Sequence, residues 1–257
     1  MANQDHLLLV EDIDVWNQWR IRHPEIIPDL SGADLSNRNL ANLNLADGNF
    51  KNVNLSHSNL IEVNLTKANL QEANLKDANI RRANCYKASF FKANLENAYL
   101  AETDLSMANL DTANLCNVNL MESYLIKANL RNANLSNANL TGATLTSAKL
   151  IGTNFTQANL TEVDLSDVDA SFAQFSGANL TGICIDDWII NDSTKLDSVI
   201  CNYYYPTPNQ KKLVLQNSIN VNLHQELALF SSPLEISQVT IPVYYNGFTS
   251  SFNVITA

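Results

Sequence analysis

Between Pro28 and Asp187 a large apolar residue returns at every fifth position, from Leu30 to Ile185, through 32 consecutive five-residue units with no insertion. The central position holds 24 Leu, four Phe (Phe50, Phe90, Phe155, Phe175), two Ile (Ile80, Ile185), Cys85 and Ala170. Two residues before it, 18 of the 32 units carry Ala, and the residue between is Asn or Asp in 25. Those preferences assign the first two positions to an interior and the third to the surface.

A helix would scatter Leu at i, i+5 and i+10 around its axis, because each residue advances 100°. A strand would send successive Leu to opposite faces, because the period is odd. The spacing fits a chain that turns a corner every five residues. With corners of about 90°, four units close a coil of 20 residues, and every central residue points inward. Eight such coils, stacked at about 4.8 Å, predict an all-β solenoid forming a rod of about 40 Å. The central Leu or Phe fills the axis, and crowding allows little beyond Ala two residues earlier. The outward Asn or Asp can serve local backbone groups or stack as a ladder with its equivalents one coil away. No proline occurs between Pro28 and Pro206, so every amide in the tract is free to bond.

The frame Ala-Asn-Leu, as in Ala68-Asn69-Leu70 and Ala133-Asn134-Leu135, resembles the pentapeptide-repeat family. The resemblance covers about 160 of the 257 residues and implies a right-handed quadrilateral β-helix. A Trp-bearing N-terminal segment, with the Asp187-Trp188-Ile189-Ile190-Asn191 stretch after the repeats, is similar to cyanobacterial members. Three units depart from the frame. Arg38 stands at an inward small position near the open end, Ala170 replaces a central Leu beside Phe172 and Phe175, and Cys85 is a small plug in mid-rod.

The ends read differently. Residues from His6 to His23 predict an amphipathic capping helix, with Leu9, Ile13 and Trp16 in one stripe and Trp19 beside it. Pro24 and Pro28 terminate it. A terminal coil exposes backbone and apolar groups, so the tryptophans serve as cap packing or as a binding platform. The division is therefore 1–27 as helical cap, 28–187 as repeat, 188–205 as irregular last coils and 206–257 as a small β-rich segment. Trp188, Ile190, Leu196 and Ile200 are expected to close the core. Thr240 to Tyr245, Asn246-Gly247 and Phe248 to Val254 predict a hairpin with a tight turn. Lys212 to Leu223 is expected to add strands and His224 to Phe230 a short helix.

The formal charge of −10 and a pI near 4.7 disfavour generic nucleic-acid binding. No run of 18 apolar residues and no basic leader are present, so a cytoplasmic protein without membrane contact is expected. Cys85, Cys116, Cys184 and Cys201 form no CxxC pair and read as free thiols. There is no GxGxxG, P-loop, HExxH or GxSxG, the four His are far apart, and Asp186-Asp187 falls in the capping region. We therefore expect no enzyme, no cofactor and no metal.

Lys51 to Lys92 holds seven Lys or Arg against three Asp or Glu, a girdle of +4 in an acidic chain. Arg81, Arg82, Tyr86, Lys87, Phe91 and Lys92 form the candidate partner-contact patch, set against the reading of a solvated face with incidental aromatics. The leading expectation is a scaffold for a protein partner, with the C-terminal segment pairing two chains. One alternative, implied by the resemblance, is a DNA-mimicking regulator of DNA gyrase. The basic girdle opposes it, because a mimic needs continuous negative charge. A weaker alternative is nucleic-acid binding through Arg81, Arg82, Lys87 and Lys92.

Overall fold

The structure is a computed structural model that describes residues 2–208 and, as backbone, the strands Leu213–Val214, Thr240–Tyr245 and Phe248–Asn253. The repeat forms a β-helix solenoid in which each coil is 20 residues. Parallel bridges join residues one coil apart, from Asp29↔Asn49 to Asp169↔Ile189.

The unit centred on Leu55 shows how five residues satisfy all five backbone donors. The Leu55 and His57 N–H groups donate upward to the Asn74 and Lys76 carbonyls at 2.7 and 2.9 Å. The Asn54 N–H donates downward to the Ala33 carbonyl at 2.9 Å, and the Val53 N–H closes the preceding turn on the Phe50 carbonyl at 3.1 Å. The remaining donor, the Ser56 N–H, is accepted by the Asn54 side chain at 3.2 Å. No donor is left over, which is what a narrow, tightly wound chain requires. The Asn preference follows from this fifth bond.

Each corner turns through a residue with positive φ, two places after the central one. His57, Glu62 and Lys67 lie between 56° and 58°. With the closing i→i+3 bond this is the type II pattern. Most of these residues are not glycine, although the left-handed region costs an L-residue about 1–2 kcal/mol. The corner amide bonds the next coil, and that bond holds the conformation in place.

Apart from Arg38, the central and small positions are buried. At Gly48 an added Cβ would overlap the Phe50 ring, so the bulkier plug takes the space of the usual Ala. Arg38 departs from its expected inward placement. Its side chain is exposed and pairs with Glu11 at 2.7 Å, because a guanidinium gains more from that carboxylate than from an apolar axis. Near Ala170, Phe172 is exposed, whereas Phe175 stacks on Phe155 at 5.1 Å and meets Trp188 edge-on at 5.8 Å. Phe175 and Trp188 therefore fill that end of the core. Burial pushes the Cys85 thiol far up, which keeps it protonated and inert.

The N-terminal segment is two helices rather than the single one expected: α1 (Gln4–Leu9) and α2 (Ile13–Arg22). Asp12 breaks the run by capping α2, accepting the Asp14 and Val15 N–H groups at 2.9 and 3.1 Å. Helix α2 then replaces the missing coil beneath the first one. Trp16 Nε1 donates to the Asn44 carbonyl at 2.8 Å, and Asn17 donates to the Asn42 carbonyl and accepts the Asn44 N–H. Arg20 donates to the Ile26 and Ala46 carbonyls, and burial lowers its pKa. Trp16 is fully buried, packed against Trp19 at 5.4 Å.

Above Ile189 the register slips by one residue. Bridges become 21 apart, as in Gln174↔Lys195, Asn179↔Ile200 and Cys184↔Tyr205. Ile200 therefore takes the outward position of Asn179 and is 51% exposed, contrary to its expected core role. Cys201 and Tyr204 are buried at this end, with Ile190, Leu196 and Val199 packed in part against the core. Strand β1 (Tyr203–Tyr204) pairs antiparallel with β2 (Leu213–Val214), and β3 (Thr240–Tyr245) pairs antiparallel with β4 (Phe248–Asn253), Tyr245 opposite Phe248. The Asn246-Gly247 turn, the helix expected over His224 to Phe230, and the remaining strand residues expected around β2 and at Val254 lie outside the described residues.

Candidate functional site

The outward residues of the six-member patch occupy three successive corners of one coil: Arg81 and Arg82, then Tyr86 and Lys87, then Phe91 and Lys92. The chain thus wraps them around the rod and does not gather them in one plane. Their charges are also engaged. Glu102 accepts from Arg81 Nη2 at 3.0 Å and from Arg82 Nε at 2.8 Å, with Glu62 at 4.0 Å from Arg82. The Arg82 hydrogen bond, with Arg81 behind it, holds the Glu102 carboxyl below the usual carboxylate range. Lys87 Nζ lies 5.0 Å from the Tyr86 ring centre and Lys92 Nζ 5.1 Å from that of Phe91. Tyr86 donates its hydroxyl to Met107 Sδ at 3.4 Å.

Glu62 and Glu102 were not in the sequence-derived set. The signal was available, since both stand in one column with Arg82 at intervals of 20 residues. A charge count along the chain does not show that pairing.

The sides of the rod differ sharply. On the side carrying Asn54 the carboxamides form a continuous ladder, in which Asn54, Asn74, Asn94, Asn114, Asn134 and Asn154 each donate to the residue one coil below. Asp34, which only accepts, ends it. The Ser36 hydroxyl and amide, together with Asn54, keep its pKa low. On the side carrying Tyr124 the ladder stops after Asn64, and Asn84, Asp104, Tyr124, Thr144 and Asp164 follow. Tyr124 and Met107 are both about half exposed there.

Chemistry suited to turnover is sparse. Among the described residues no group of three or more His, Cys, Asp or Glu is placed to hold a metal. A shallow hollow lined by Ala2, Ser31, Gly32, Asn49, Lys51 and Asn52 brings one amine together with no acid or base. Among the described residues no helix is long and apolar enough to cross a membrane.

A family model of pentapeptide repeats, eight copies long, matches overlapping stretches from residues 29–66 to residues 145–182. No curated protein is significantly similar. Solved structures similar to this chain include HetL, a pentapeptide-repeat protein involved in heterocyst differentiation regulation from the cyanobacterium Nostoc sp. PCC 7120, 26% identical over 71% of this chain and 90% of that one, TM-score 0.40. Rfr23 from the cyanobacterium Cyanothece 51142 is 30% identical over 48% of this chain and 64% of that one, TM-score 0.27. QnrB1, a plasmid-mediated fluoroquinolone resistance protein, is 15% identical over 65% and 89%, TM-score 0.40. The matched repeats span more than half of the sequence, and the chain belongs to the pentapeptide-repeat family.

Proposed function

We propose that this protein is a non-enzymatic cytoplasmic scaffold: a right-handed quadrilateral β-helix of about eight coils that holds a protein partner on its outward side chains. The observation that carries this reading is the closed accounting of the Asn-bearing units, such as the one centred on Leu55. Core residues, amides and most Asn side chains are committed to the rod, so variable chemistry is confined to the corners and to the sides where Asn is replaced. Residues 1–27 serve as the N-terminal cap, 28–187 as the rod and 188–205 as its closure. The segment 206–257 follows as a small β-rich piece. The patch of Arg81, Arg82, Tyr86, Lys87, Phe91 and Lys92 contributes contacts one corner at a time, with Tyr86 and Lys87 at its centre. Affinity capture by the full chain and by a Tyr86→Ala, Lys87→Glu variant tests this. A partner retained by the first and lost by the second, at unchanged thermal stability, supports the patch. Equal capture removes it.

A second reading, regulation of DNA gyrase by mimicry of DNA, draws on the C-terminal part of the rod, where eight carboxylates between Glu162 and Asp197 face Lys195 as the one cation. It predicts altered supercoiling when the protein is added in excess. Unchanged supercoiling eliminates it.

A further inference from the structure

The Tyr124 side carries a self-complementary charge pattern about an exposed aromatic centre. One bordering corner column runs Glu62, Arg82, Glu102, Glu122, Gly142, Glu162, and the other runs Lys67, Lys87, Met107, Lys127, Ser147, Asp167. Asp187 continues the second column. Residues 20 apart are stacked one coil above another, so height along the rod can be read from the sequence. Arg82 and Glu162 are each two coils from Glu122. Lys87 and Asp167 are each two coils from Lys127, and Lys67 and Asp187 are each three. Arg82, Lys87 and Lys67 therefore lie below the Tyr124 coil, interleaved with Glu62 and Glu102, whereas the charges of these columns above it are all anions, at heights and in columns that match the three cations.

We propose that this side docks a second copy of the same chain. Two rods pack antiparallel about a two-fold axis that crosses them at the Tyr124 coil, an isologous contact. Arg82, Lys87 and Lys67 of one copy meet Glu162, Asp167 and Asp187 of the other, and each pair occurs twice. Tyr124 and the half-buried Ile126 meet their own counterparts at the axis, where an interface gains most from aromatic anchors. Glu102 and Glu62 face Gly142 and Gly182, and Met107 faces Ser147, so away from the axis these columns set no like charges together. Only Glu122 and Lys127 face their own copies. A parallel pairing of the same sides would set Arg82 against Lys87 and Glu162 against Asp167, which selects the antiparallel one. This contact shares Arg82 and Lys87 with the candidate patch and uses none of residues 206–257, so the Asp167→Lys, Asp187→Lys variant, which leaves the patch intact, separates it from partner binding there.

Light scattering on the full chain tests it. The account expects twice the 28.5 kDa chain mass, falling toward the monomer as salt screens the pairs. A Lys67→Asp, Lys87→Asp variant and an Asp167→Lys, Asp187→Lys variant should each be monomeric, with the dissociation constant raised about a hundredfold or more by like charges. All four sites are exposed corners with positive φ in a column that already holds both Lys and Asp, so the rod tolerates the exchange. Mixed together, the two variants should pair with each other, and Tyr124→Glu should dissociate the wild type. A monomeric wild-type chain, a variant that remains dimeric, or a mixture that fails to pair would each overturn the proposal.

Discussion

The Asn54 side and the Tyr124 side share one axis of central residues; their small inward positions vary, as Ser123 against Ala113, and the larger difference lies outside. On the first, each carboxamide accepts the amide two residues ahead and, from Asn54 to Asn154, donates to the carboxamide or carboxylate below. On the second, the Tyr124 and Thr144 side chains accept nothing from the backbone, and among the described residues no protein acceptor serves the Ile126 and Thr146 amides. The difference teaches where information can reside in a repeat. A side whose polar groups all serve the coil has little left for a partner, and a side that relinquishes the ladder exposes aromatic, apolar and charged groups instead.

The strongest challenge to this comparison is the core. Leu95→Ala, behind the Asn54 side, and Leu105→Ala, behind the Tyr124 side, should each cost about 2–5 kcal/mol, because both leave a cavity in the same axis. Denaturant unfolding measures both, and a much smaller loss for Leu105→Ala would mean that the sides do not share one interior.

A smaller difference should appear outside. Asn94→Ala removes the acceptor for the Glu96 amide and two ladder bonds, to Asn74 and from Asn114. It should cost about 1–3 kcal/mol. Thr144→Ala should stay within about 0.5 kcal/mol, as expected for a surface position without such bonds. Equal losses would erase the distinction.

Much of this was legible in the sequence because the period and the burial pattern are one fact: Leu30 to Ile185 every five residues can only face one axis. The role of Asn was legible for the same reason, since a coil this narrow leaves one amide per unit without a backbone partner. Other features depend on contacts between distant residues. The Asp12 break in the N-terminal helix and the hold of Trp16, Asn17 and Arg20 on residues 42–46 required the first coil to be in place. The single extra residue near Asn191, which turns Ile200 outward, is invisible to a pattern that has already begun to degrade. The candidate patch was legible as charge along the chain but not as geometry. Arg81 and Arg82 answer to Glu102, 20 or 21 residues away and one coil up.

The smallest expected effect concerns that cluster. The Arg82 and Arg81 hydrogen bonds depress the Glu102 pKa in the fold, so its stabilisation is present at neutral pH and is lost as the pH falls through the lowered folded value, beneath the usual carboxylate range. Glu102→Gln should therefore lower Tm slightly at pH 7 and have no effect once acid has protonated the wild-type group. An equal loss at both pH values would remove the ion cluster from the account.

Amide hydrogen exchange on the Lys67→Asp, Lys87→Asp chain, in which the Tyr124 side is uncovered, tests the contrast between the two sides most directly. The Cys116, Ser136 and Thr156 amides donate to Asn114, Asn134 and Asn154 and should exchange with the protection of the coil. The Ile126 and Thr146 amides, which follow Tyr124 and Thr144, should exchange about tenfold faster or more, the equivalent of one missing hydrogen bond. Uniform protection at all five positions would contradict the claim that Asn serves the backbone on one side and that its replacement frees the other.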